Sequence, residues 1–86
     1  MTMLEATPEQ VGERIAELRR AAQLSRADLA RRLRTADAGT VSLWERGEGL
    51  PDAMTVKRLA VRFRVQPHFL THREDYAAVL VRLRGA

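Results

Sequence analysis

The chain has 86 residues, a formal charge of +4 and no cysteine, which leaves room for one small core and excludes disulfides and thiolate metal sites. Its apolar stretches run to only a few residues, against the roughly 20 that a bilayer span needs; Met1 to Glu5 has neither the basic region nor the apolar run of a signal peptide, so the cytoplasm is the expected location. Of 15 basic residues 14 are arginine, and residues 1–25 carry −1, residues 26–64 carry +4 and residues 65–86 carry +1, so the middle of the chain is the part suited to a polyanion such as DNA.

Thr7, Pro8 and Gln10 form a helix start: a hydroxyl N-cap, proline at the first helical position and a capping-box partner at the third. Val11, Ile15, Leu18 and Ala22 follow on one apolar face, predicting a first helix over about 8–22. Ser25 with Asp28 is a second N-cap. Leu29, Ala30 and Leu33 give the inner face of a short second helix over about 26–33, with Arg26, Arg31, Arg32 and Arg34 largely outside it.

Asp37 is the expected N-cap of a third helix that carries Val41 and Trp44 and stops at Gly47. Asp52 opens a fourth, with Ala53, Val56, Leu59, Ala60 and Phe63 as its stripe. Pro67 starts a short fifth carrying Phe69 and Leu70. A last helix over about 73–84 shows Tyr76, Val79, Leu80 and Leu83 at helical spacing. No run alternates with period two. The expectation is an all-α chain forming a single domain over 1–86, with a compact five-helix core over 8–70 and an additional C-terminal helix over 71–86.

Two short helices joined by a tight turn are the minimal device for presenting one helix to a DNA major groove. Ala30, small and in the middle of the first, permits close approach. Leu29, Leu33, Val41 and Trp44 would lock the pair onto helices 1 and 4. Periodicity alone is met equally by a bundle whose helices merely pack.

Leu18-Arg19, the run Leu24-Ser25-Arg26-Ala27-Asp28-Leu29-Ala30, the run Val41-Ser42-Leu43-Trp44-Glu45-Arg46-Gly47, then Leu50-Pro51, Leu59-Ala60 and Val65, resemble the lambda-repressor-like helix-turn-helix family (Cro/repressor, XRE type). The resemblance spans about Val11 to Leu70, in the family's order and near its spacing. It implies a five-helix domain that binds operator DNA as a dimer, with helix 3 in the major groove and the start of helix 2 on the backbone. Arg19 and Glu45 match a pair that in the family is a partly buried ion pair between helix 1 and the end of helix 3. Ser25 and Arg26 match the backbone-contacting start of helix 2, with Arg26 as a phosphate ligand. Arg31, Arg34 and Arg46 are further electrostatic candidates. Ala38, Gly39, Thr40, Ser42 and Leu43 stand at the base-reading positions.

This chain departs from the family at three places. Ala38 and Gly39 replace side chains that can hydrogen-bond base edges, which shifts weight to phosphates and DNA shape. The segment from Leu29 to Glu45 is one residue longer than usual, within Arg34-Thr35-Ala36-Asp37, and lacks the turn glycine; a longer turn can avoid the left-handed conformation that favours glycine, or it can tilt helix 3. The loop after helix 3 is Glu48-Gly49, acidic where the family is often basic.

His68 and His72 have the spacing of two zinc ligands, but no third ligand has a secure place, so a surface pair is expected and no metal. No nucleophile, base and acid set stands out, and neither enzymatic activity nor a cofactor is expected. The stripe of Tyr76, Val79, Leu80 and Leu83, with Phe69 at a position that tends to point outward in the family and with exposed Met54, Val61 and Val81, suits an isologous homodimer. The expected partner is double-stranded DNA, with the chain acting as a cytoplasmic transcriptional repressor at a pseudo-palindromic operator, and no membrane partner is expected. The rival reading is a protein-interaction module on the same fold, antitoxin-like or an adaptor, whose partner is another polypeptide.

Overall fold

The computed structural model describes residues 6–34 and 37–71. Every regular element among them is helical: α1 (Pro8–Ala21), α2 (Arg26–Leu33), α3 (Ala38–Glu45), α4 (Ala53–Phe63) and α5 (Pro67–Thr71). The expected C-terminal helix, with His72, Tyr76, Val79, Leu80, Val81 and Leu83, lies outside the described residues. No described helix is long and apolar enough to cross a membrane.

The helix starts follow from their caps. Thr7 Oγ1 accepts from the Gln10 amide at 3.1 Å while Gln10 Oε1 accepts from the Thr7 amide at 2.9 Å, satisfying two orphan donors at once. Ser25 and Asp28 make the same reciprocal pair for α2. Asp37 and Asp52 cap α3 and α4 through the amides of Thr40 and Thr55, each at 2.8 Å. Gly47, at φ 76°, follows the end of α3, the left-handed position that glycine takes without cost.

Val11, Ile15, Leu18, Leu24, Leu29, Leu33, Val41, Trp44, Val56, Leu59, Phe69 and Leu70 form one core. α3 lies against both α1 and α2, and α5 packs on α4 and α1. Two long side chains tie the layers together. Buried Arg14 donates to the Phe69 carbonyl at 2.9 Å, meeting the end of α5 with a cation. Arg58 of α4 donates to the Leu33 carbonyl at the end of α2 at 3.1 Å.

Four expectations are corrected. Ala22 is the exposed C-cap of α1 and not part of its inner face. Ala53 is exposed in the first turn of α4, so the stripe there begins at Thr55 and Val56. Phe69 is 2% exposed and belongs to the core, so it offers no surface to a second copy. The longer turn does not escape the left-handed region: Arg34, the C-cap of α2, stands at φ 63°.

Candidate nucleic-acid interface

α3 sorts its residues by face. Val41 and Trp44 point inward at 0% and 6% exposure. Ala38, Gly39, Leu43 and Arg46 are exposed, and Thr40 and Ser42 are half-buried. The residues expected to read bases therefore do share the solvent side of one short helix. Its leading end is small and its middle carries Leu43, 40% exposed, able to meet a thymine methyl.

The two helices of the motif are joined by charge as well as by the core. Arg19 in α1 grips Glu45, in the last turn of α3, through Nε at 2.6 Å and Nη2 at 3.2 Å, and its Nη1 donates to the Leu24 carbonyl at 2.9 Å. Arg26, the first residue of α2, donates from Nε to Oε1 of the same carboxylate at 2.8 Å, the oxygen that also accepts from Arg19 Nη2. The Glu45 side chain is only 3% exposed. Burial pushes its carboxyl up, but the bonds and charges of Arg19 and Arg26 outweigh burial and hold it below its ordinary value of 4.5. The expected ion pair is thus a three-membered cluster, with Arg26 as the member that reaches solvent, its side chain 46% exposed.

Other candidates are already engaged within the protein. The Ser25 hydroxyl accepts from the Asp28 amide at 3.0 Å. Arg31 is held by the Asp28 carboxylate. Arg46 spans from the Ser42 hydroxyl at 3.0 Å to Glu48 at 3.1 Å, so Ser42 and Arg46 form one polar pair at the end of the solvent side of α3. Asp37 sits at the start of α3, its carboxyl held low by the Thr40 amide. Arg34 stands apart from these residues, in a groove shared with α4. Among the described residues no group of three His, Cys, Asp or Glu side chains is placed to hold a metal ion.

Two structural residues were not singled out by sequence. A Cβ added to Gly12 would lie 2.1 Å from the Trp44 carbonyl oxygen, so glycine is what lets α1 reach the end of α3. The signal was present: a lone glycine inside a strongly capped helix costs about 1 kcal/mol and implies a packing reason. Arg14 falls three residues after Val11 and four before Leu18, on the inner face itself.

The profile of the helix-turn-helix domain family matches residues 10–72. Among solved structures, the chain is similar to the restriction-modification controller protein C.AhdI from Aeromonas hydrophila, with 30% identity and a TM-score of 0.66, over 73% of this chain and 94% of that one. No curated protein matches the chain.

Proposed function

The chain belongs to the helix-turn-helix domain family, as a DNA-binding regulator of transcription, and we propose that it represses by binding a pseudo-palindromic operator as a homodimer with α3 in the major groove. The observation that carries this reading is the cluster of Arg19, Glu45 and Arg26. It fixes the start of α2, where a phosphate contact is made in this motif, to the last turn of α3, so that backbone grip and groove entry keep one geometry. Arg26 serves as the phosphate ligand, Arg46 adds charge at the far end, and Thr40, Ser42 and Leu43 give a sparse reading face. With Ala38 and Gly39 offering no side-chain hydrogen bonds, discrimination relies heavily on DNA shape.

The similarity to a restriction-modification controller supports the regulator reading. The single-domain organisation, with a core over 8–70, and dimerisation through Tyr76, Val79, Leu80 and Leu83 belong to the same proposal. A dimer would set two copies of α3 about one DNA turn, roughly 34 Å, apart.

Fluorescence anisotropy against a randomised duplex pool at two salt concentrations, with sequencing of the bound fraction, tests this. The expected result is enrichment of a two-fold-symmetric site. Salt-sensitive binding without enrichment would refute operator recognition while leaving the electrostatic attraction in place.

A further inference from the structure

An open groove of about 730 Å³ runs between the end of α2 and the C-terminal half of α4. Six cations line it, Arg32 and Arg34 from the end of α2 and Lys57, Arg58, Arg62 and Arg64 from α4, with Val61 among them. Arg58 is occupied by the Leu33 carbonyl. The other five are exposed, and no described carboxylate lies within ion-pair distance of them.

Helix dipoles account for only a small part of this charge. Arg34 and Arg64 are the C-caps of α2 and α4, where each helix end offers about half a negative charge, and Asp28 and Asp52 act through space on Arg32 and Arg58; together these offset only part of the charge of the six cations. Val61 stands 79% exposed in their midst, an apolar contact point among the cations.

No residue of α3, nor Ser25 or Arg26, lines the groove. A phosphate track would match the cations but offers nothing to a valine. An acidic polypeptide segment bearing an apolar side chain matches both, since carboxylates fit guanidinium forks and an apolar contact at the centre excludes water. From Lys57 to Arg64 the groove follows α4 for about 10 Å at 1.5 Å per residue, room for about three residues of extended chain. We propose that this groove docks an acidic, apolar-bearing segment of a second protein, on a surface separate from the one that meets DNA.

The test uses the full chain and a short fluorescein-labelled peptide that alternates Glu with Leu, beside its Gln-for-Glu counterpart. The acidic peptide binds the parent protein and the Gln peptide does not. The double variant Lys57→Gln/Arg62→Gln binds the acidic peptide about tenfold more weakly. Val61→Ser weakens it about threefold and leaves duplex-DNA affinity unchanged. Equal binding of the two peptides, or none of either, overturns the proposal. So does a double variant whose duplex-DNA salt slope falls by about two units, because the groove would then be a phosphate track. All three positions are exposed, and unchanged helical circular dichroism confirms that the variants fold.

Discussion

Gly12 in α1 passes so close to Trp44 in α3 that a Cβ on the glycine would stand 2.1 Å from the tryptophan's carbonyl oxygen and 3.1 Å from Glu45 Cα. Both neighbours are backbone, so neither can rotate away. Gly12→Ala gains about 1 kcal/mol in helix propensity, but the overlap must push two helices apart, and overpacking of that kind costs about 1–3 kcal/mol or more. The expected outcome is a net loss of about 1–2 kcal/mol, read as a lower denaturant midpoint at unchanged slope. A variant as stable as the parent would show that α1 and α3 do not meet there.

Glu45→Gln leaves Arg19 facing a neutral amide and removes the anion that orients Arg26. Breaking a nearly buried pair from one side costs about 3 kcal/mol. The pH dependence gives a second readout. Because the folded carboxyl titrates below its ordinary value of 4.5, its stabilisation is fully present above that value and is lost as pH falls through the depressed folded value. The gap between parent and variant should therefore be constant near neutrality and close on acidification below 4.5. Comparing the two proteins cancels the acid-side losses from Asp28, Asp37 and Asp52, whose carboxyls are also held low. A gap that persists to the most acid point would assign the loss to packing.

Much of this was legible in the sequence because capping chemistry is local. Thr7, Ser25, Asp37 and Asp52 each announce a helix within three residues of themselves, and all four do cap one. The solvent side of α3 was legible for the same reason, since Val41 and Trp44 are buried and leave only one side for the remainder. What could not be read was set by neighbours distant in sequence. Phe69 is buried because α5 folds onto α1 and α4. Arg26 joins Glu45 across 19 positions, and Arg34 meets Lys57 and Arg58 only once α2 and α4 are side by side.

Arg34 carries a side chain where the backbone prefers none, at φ 63°. A non-glycine residue in the left-handed region costs about 1–2 kcal/mol, against about 0.5–1 kcal/mol of extra chain entropy for glycine. Arg34→Gly is therefore expected to stabilise the fold by about 0.5–1 kcal/mol in thermal or denaturant unfolding. A loss of stability would show that the arginine's contacts exceed its backbone strain.

Arg26→Ala separates the two tasks of that residue. Its side chain is 46% exposed, and Glu45 keeps Arg19, so the fold should lose less than about 1 kcal/mol. Binding to every duplex should weaken, and the slope of log affinity against log salt should flatten by about 0.9. An unchanged slope would remove Arg26 from the phosphate contact and leave it a structural role alone.

Asp37 presents a harder choice, because it places a negative charge at the leading end of the helix expected to enter the groove. Its Oδ1 accepts from the Thr40 amide at 2.8 Å, and asparagine caps a helix as well as aspartate does. Asp37→Asn thus keeps α3 intact and removes only the charge. If the carboxylate merely repels phosphates, affinity for all duplexes rises about threefold and the salt slope steepens. If it instead accepts from a cytosine amino group, affinity for the selected site falls while binding to random DNA rises. Anisotropy on the selected and a scrambled duplex distinguishes the two. The repulsive outcome is the expected one, since Oδ1 is committed to the cap and Oδ2 alone would remain for a base.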